Sequence, residues 1–253
     1  MIPKNEIYCG DNIEIMKGID DGVIDLTVTS PPYDNLRLYD GFSFDFKRCS
    51  EELYRVTKPG GVIVWVVNDS TKNGSESGTS FRQALHFIGL GLNLHDTMIY
   101  KKHGMPTDPR LRYYQRFDYM FVFSKGKPKS YNPISDVKSS GRKNANGTDR
   151  KGDTLLVTKK RYNYPEFSVR GNIWEYDCRN MGVKHPAAFP EGLANDHIIS
   201  WSKEGDLVLD PFCGSGTTCK MALMNKRNFI GIDISKKYCE DTRARLKYWG
   251  AHK

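Results

Sequence analysis

The sequence predicts an α/β protein: a doubly wound, mostly parallel sheet with an antiparallel edge hairpin and a small basic domain inserted between its halves. Three stretches carry that expectation. Near the C-terminus, Leu207-Val208-Leu209-Asp210-Pro211-Phe212-Cys213-Gly214-Ser215-Gly216-Thr217-Thr218 passes from an aliphatic run through two closely spaced glycines into a helix start. That is the strand, tight turn and helix opening of a βαβ unit, in which the glycines let a ligand approach the backbone. Phe229-Ile230-Gly231-Ile232-Asp233 then reads as a second strand ending in a carboxylate, placed where such a sheet holds a ribose diol. At the opposite end, Asp25-Leu26-Thr27-Val28-Thr29 is another short strand, stopped by Ser30-Pro31-Pro32-Tyr33. Taken alone, a Gly-rich turn suits a plain chain reversal and a proline pair suits an ordinary corner; the combination is what points to a site.

In chain order, Glu6 to Asp11 is a strand ending in a carboxylate, and Asn12 to Met16 a helix start that Asp11 and Glu14 could cap. After Tyr33, residues 34–45 read as a loop over the site. Phe46, Cys49, Leu53 and Val56 recur at helical spacing, Lys58-Pro59-Gly60-Gly61 ends that helix, and Val62 to Val67 follows as a strand buried on both faces. Phe81, Ala84, Leu85, Ile88 and Leu92 give a further helix face, and His95 to Lys101 with Arg116 to Phe123 an antiparallel pair closing the sheet. From Lys125 periodicity is lost. It returns in the helix bearing Phe189, Leu193, Ala194, Ile198 and Trp201, and in the last helix with Tyr238, Thr242, Leu246 and Trp249 as core. The expected division is 1–124 and 173–253 as the two halves of one domain, with 125–172 inserted.

Chemistry attaches to the two ends. Two prolines fix the backbone near Ser30 and leave carbonyl acceptors beside an aromatic ring. A planar nucleobase amine used as nucleophile needs such a corner: acceptors for the amino hydrogens and a ring to stack on the flipped base.

Together the stretches resemble the amino-methyltransferases of DNA, which carry a catalytic (D/N/S)PP(Y/F/W) motif and a cofactor-binding FxGxG motif; here these are Ser30-Pro31-Pro32-Tyr33 and Phe212-Cys213-Gly214-Ser215-Gly216. The order, catalytic motif first, is similar to the β class, over about the first 125 and last 80 residues. The resemblance implies a Rossmann-like methyltransferase fold and S-adenosylmethionine as cofactor. It implies Ser30, Pro31, Pro32 and Tyr33 as catalytic, and Asp210, Pro211, Phe212, Gly214, Gly216, Thr217 and Asp233 as cofactor-binding. Asp11 inherits a place facing the adenine, and Phe189, more weakly with His185, one near the methionine end. In the family SPP(Y/F) is typical of action on the 4-amino group of cytosine, DPP(Y/F) of action on the 6-amino group of adenine. Ser30 therefore favours cytosine N4, with adenine N6 as the alternative.

The charge is unevenly placed. The chain is +8 overall, but residues 101–172 hold 17 Lys and Arg against 6 Asp and Glu, an excess of +11 that leaves −3 on the rest. Basic residues interleaved with tyrosines suit a phosphate backbone and unstacked bases; a solvated basic face is the plainer alternative. Lys159, Lys160 and Arg161 form the densest cluster, with Arg142 and Lys143 nearby, and double-stranded DNA is the expected partner. A homodimer and a cognate restriction endonuclease are left open. No apolar run approaches the roughly 18 residues of a membrane span, and the N-terminus lacks an apolar signal core, so a cytoplasmic protein is expected. Six cysteines form no CxxC pair or zinc-spaced cluster, so no metal is expected. Two rivals compete: a non-catalytic DNA-binding module with a nucleotide site, which has no need of Ser-Pro-Pro-Tyr, and a methyltransferase acting on RNA or small molecules.

Overall fold

The computed structural model describes residues 2–32, 45–102, 113, 115–139, 147–151, 154–158, 165–176 and 190–250. In chain order the elements are β1 (Glu6–Cys9), α1 (Asn12–Met16), β2 (Ile24–Thr29), α2 (Phe46–Val56), β3 (Thr57–Val67), β4 (Thr71–Lys72), β5 (Ser75–Glu76), α3 (Thr79–Gly89), β6 (Asn93–Lys102) and β7 (Phe117–Ser124). They continue with β8 (Ser135–Lys138), β9 (Gly147–Lys151), β10 (Thr154–Thr158), β11 (Phe167–Val169), β12 (Ile173–Tyr176), α4 (Glu191–Trp201), β13 (Leu207–Asp210), α5 (Thr217–Met224), β14 (Asn228–Asp233) and α6 (Lys236–Tyr248).

Eight strands form one sheet in the order β1-β14-β13-β2-β3-β7-β6-β12. The five strands from β1 to β3 run parallel, β7 is antiparallel to β3 and to β6, and β12 pairs parallel with β6. The expected antiparallel pair is thus present, with one strand more outside it: Ile173–Tyr176 hydrogen-bonds along β6 and takes the edge. Because β13 and β14, from the end of the chain, lie between β1 and β2, from its beginning, the two terminal stretches are neighbours in the sheet.

The parallel strands are aliphatic throughout because both faces are covered. Ile63, Trp65, Val67, Leu209 and Ile230 join Ile13 and Met16 of α1, Cys49 and Leu53 of α2 and Phe87 of α3 in one cluster, while the alternating Val62, Val64, Val66 and Val208 are buried as well. Gly231 interrupts this pattern for lack of room. A Cβ there would lie 2.5 Å from Ile7 Cδ1 and 2.7 Å from Cys219 Sγ.

Two helix faces differ from expectation. On α3 the buried residues are Ser80, Gln83, Ala84 and Phe87, whereas Phe81, Leu85 and Ile88 are exposed. The face that is turned inward places Phe87 and Ala84 in the core cluster and brings Gln83 Oε1 to the buried Trp65 indole N–H at 2.9 Å. On α6, Cys239, Thr242 and Leu246 are buried, but Trp249 is 45% exposed, its ring lying under the Lys220 ammonium instead of in the core.

The described residues divide into two compact units, Met1–Asn132 with Asn172–Lys253, and Pro133–Gly171. The second lacks helices among its described residues and holds two antiparallel ribbons, β8 with β11 and β9 with β10. Alternation was not legible there because every residue of β8 is exposed. No described helix is long and apolar enough to cross a membrane.

His197 of α4 is fully buried, with Nε2 3.3 Å from Met120 Sδ, its ring 4.6 Å from that of Trp174, and Nδ1 without a hydrogen-bond partner among the described residues. Burial holds its pKa down to about 3, opposed only by the Asp196 carboxylate. A folded pKa below the unfolded value means that the stability is intact above about pH 6.5 and is lost as pH falls toward 3, because the unfolded chain binds a proton the folded chain refuses. Across that window His197 should contribute a loss of about 1.4 kcal/mol per pH unit. His197→Met is expected to flatten the decline of the urea midpoint between pH 6.5 and 5; an unchanged decline would assign acid sensitivity elsewhere.

Candidate active site

Asp11, Asp233, Asp210 and Ser30 come to one edge of the sheet because four adjacent strands end there. Cys9 is registered opposite Asp233, Asp210 opposite Gly231, and Leu209 opposite Thr27, so the acidic residues after β1, at the end of β14 and at the end of β13 stand in sequence beside the Ser-Pro corner after β2. Carboxyl ends of parallel strands are where open α/β sheets bind ligands.

Asp210 is the most constrained of these. It is 2% exposed, its Oδ1 accepts Thr29 Oγ1–H at 2.7 Å and the Phe212 N–H at 3.1 Å, and burial lifts its carboxyl to about 6 against the opposing pull of those bonds. Thr29 directly precedes Ser30, and Thr218 donates from α5 to the Val28 carbonyl at 3.1 Å. The two terminal motifs are thereby fastened to each other, Thr29 to Asp210 across 181 residues of chain.

The turn itself is left-handed at Gly214 (φ 49°) and Gly216 (φ 75°), the latter serving as the N-cap of α5. Asp233 shapes it: one carboxylate oxygen accepts the Gly214 N–H at 2.8 Å, the other the Ser235 N–H at 2.8 Å. Burial raises the Asp233 pKa, the two amide bonds resisting. The Phe212 ring packs on Trp65, centroids 6.3 Å apart, and Thr217 is buried. The Pro211 carbonyl accepts from Asn12 Nδ2 at 3.4 Å. Asp11 caps α1, accepting the Ile13 and Glu14 N–H groups at 2.9 and 3.1 Å, while Glu14 turns to Lys17 at 2.7 Å.

In the Ser-Pro corner after β2, Ser30 is half-buried, Pro31 buried and Pro32 half-buried. Tyr33, Phe189, His185, Arg142, Lys143, Lys159, Lys160 and Arg161 lie outside the described residues. Sequence reading did not assign Thr29, Thr218 or Asn12 to this edge. Thr29 is fully buried, but so is Thr27 two residues before it, whose hydroxyl has no hydrogen-bond partner among the described residues, so the sequence alone does not single out Thr29.

The donor chemistry of this edge fits S-adenosylmethionine, whose sulfonium, ammonium and ribose hydroxyls all favour carboxylate neighbours. The N6/N4 family described as DNA methylase matches residues 24–244. The orphan methyltransferase M.BamHII of Bacillus amyloliquefaciens is 54% identical over 242 residues, 91% of each chain. Among solved structures, the PvuII DNA methyltransferase (cytosine-N4-specific) overlays with a TM-score of 0.69 at 21% identity, covering 95% of this chain and 85% of that one. A putative DNA modification methylase of Thermus thermophilus, complexed with S-adenosyl-L-methionine, gives 0.65 at 24% identity, covering 96% and 95%; both likenesses are of fold. With the Ser-Pro-Pro and Gly-Ser-Gly stretches on one sheet edge and the match running almost end to end, the chain belongs to the N6/N4 DNA methylase family and is an S-adenosylmethionine-dependent DNA amino-methyltransferase.

Proposed function

We propose that the enzyme methylates the 4-amino group of cytosine in double-stranded DNA. The observation that carries this is a neutral hydroxyl, Ser30, as first residue of the motif at the end of β2. S-adenosylmethionine, when bound, supplies a sulfonium methyl as electrophile. Ser30 Oγ and the Pro31 carbonyl accept hydrogen bonds from the two amino hydrogens of the flipped base, localising its lone pair, and the proton that the nitrogen sheds on methylation passes to solvent; Tyr33 stacks on the ring. Asp233 takes the ribose diol, Asp11 faces the adenine, and Asp210, Pro211, Phe212, Gly214, Gly216 and Thr217 form the wall of the pocket, with Phe189 toward the methionine end. No covalent enzyme intermediate is needed, since position and acceptors suffice for in-line transfer.

Digesting methylated DNA to nucleosides and weighing them tests the base. 4-Methylcytosine is the expected product; 6-methyladenine alone would overturn the cytosine assignment and leave the Ser30 role standing. Ser30→Ala should lower kcat by about 10²-fold, as removal of one preorganised hydrogen-bonding group does elsewhere, with cofactor affinity retained. An unchanged kcat would remove Ser30 from the reaction.

Residues 125–172 serve target recognition in this proposal, with Lys159, Lys160, Arg161, Arg142 and Lys143 on phosphates. Changing Lys159, Lys160 and Arg161 together to Ala should flatten the slope of log affinity against log salt by about 0.9 for each phosphate no longer neutralised. An equal slope would leave them a solvated face. M.BamHII, named an orphan, supports action without a paired nuclease.

A further inference from the structure

A turn containing two left-handed glycines has little conformational preference of its own, so its shape must be imposed from outside. In this protein α6 imposes part of it. Thr242, buried, donates Oγ1–H to the Gly214 carbonyl at 2.7 Å, and Arg245 donates Nη1–H to the next carbonyl, Ser215, at 2.6 Å. Arg245 is itself anchored. Its Nη2 bonds Glu191, the first residue of α4, and the same carboxylate receives Lys220 Nζ of α5 at 2.7 and 2.9 Å. The Lys220 side chain is 9% and that of Arg245 18% exposed, and the Lys220 ammonium lies 4.3 Å from the centre of the Trp249 ring. One carboxylate thus joins two cations, three helices and the peptide of Ser215.

We propose that Arg245, held by Glu191, is a positioning residue for cofactor binding: it fixes the Ser215 peptide and so holds the Gly-Ser-Gly turn in its binding shape before the cofactor arrives. The proposal rests on the cofactor lying at this turn. Arg245 touches no reacting atom, so its effect falls on the cost of ordering the turn, which bears on affinity and not on the chemical step. Lysine could keep an ion pair with Glu191 but lacks the planar fork that serves a carboxylate and a carbonyl at once.

The test is steady-state kinetics and titration calorimetry with S-adenosylmethionine on the full chain, below the melting temperature of every variant. Arg245→Ala should raise the cofactor KM and Kd by about 10-fold, with kcat at saturating cofactor and the KM for DNA unchanged. Arg245→Lys should recover part of that loss. Glu191→Gln, which leaves the turn untouched but loosens Arg245, should raise the same two constants by a smaller factor and serves if Arg245→Ala does not fold. Unchanged cofactor constants, or a fall in kcat and in DNA affinity that tracks lost thermal stability, would overturn the proposal. Gly216→Ala separates the two possible failures. If it weakens the cofactor while Arg245→Ala does not, Arg245 is no positioning residue; if neither does, the cofactor does not lie at this turn.

Discussion

Asp210→Asn should make the cofactor-free enzyme more stable and at the same time weaken its hold on S-adenosylmethionine. The carboxyl of Asp210 is buried and lifted to about 6, whereas an unfolded chain ionises it near 3.9. A group whose folded pKa is raised contributes stability that is complete below the unfolded value and is lost as pH rises through the folded one. At pH 7.5 wild-type enzyme carries that whole loss, at most about 3 kcal/mol. Asparagine has the same shape, keeps an oxygen for Thr29 Oγ1–H and the Phe212 N–H, and carries no charge to bury. Its amide nitrogen brings donors to a site where the Thr218 hydroxyl also bonds the carboxylate, which offsets part of that gain.

The binding prediction has the opposite sign. With the cofactor at this turn, as proposed above, its sulfonium and ammonium would favour the ionised form of Asp210, and loss of one partner of a desolvated charge pair costs about 2–5 kcal/mol. We therefore expect the Kd of the asparagine variant to rise by at least about 30-fold at pH 7.5. Wild-type affinity should fall as pH drops below about 6, where the proton must leave before the cation binds; the variant's affinity should be flat across that window. Thermal denaturation without cofactor and calorimetry at pH 7.5 and 5.5 measure both. A variant that is less stable and binds as tightly as wild type would contradict the placement of this charge near the cofactor.

What was legible in the sequence was what is local. The strand, turn and helix of Leu207–Thr218 and the Asp233 carboxylate could be read because their spacing is set within about 25 residues, and α2 because Cys49, Leu53 and Val56 all face inward. Where a partner from elsewhere in the chain decides, periodicity misleads. Phe81, Leu85 and Ile88 keep helical spacing, yet the inward face of α3 is the one bearing Gln83, bonded to Trp65, with Ala84 and Phe87. The bond from Thr29 to Asp210 spans 181 residues, and the anchoring of Ser215 by Arg245 and Glu191 joins three elements whose sequences carry no mutual signal. Edge strand β12 carries no strand signal of its own, because its four residues include the exposed Ile173 and Glu175 and only one buried side chain, Trp174.

Gly216→Ala should cost stability through two separable causes. Its φ of 75° lies where alanine is strained by about 1 kcal/mol, and a Cβ would stand 2.4 Å from Thr242 Cγ2, an overpacking worth about 1–3 kcal/mol in a close-packed interior. The combined loss of about 2–4 kcal/mol should lower Tm by about 4–16 °C for a chain of this size. Thr242 is β-branched and lies in a helix, so the methyl cannot swing aside without dragging Oγ1 from the Gly214 carbonyl. Thr242→Ser removes Cγ2 and keeps that bond. The pair Gly216→Ala with Thr242→Ser should therefore be more stable than Gly216→Ala alone by about 1–3 kcal/mol, the remainder of the loss being the backbone strain together with the contacts of 3.2 and 3.3 Å to Thr242 Oγ1 and Cβ that serine keeps. A double variant no more stable than the single would show that the turn, not the packing against α6, gives way when a side chain is added at Gly216.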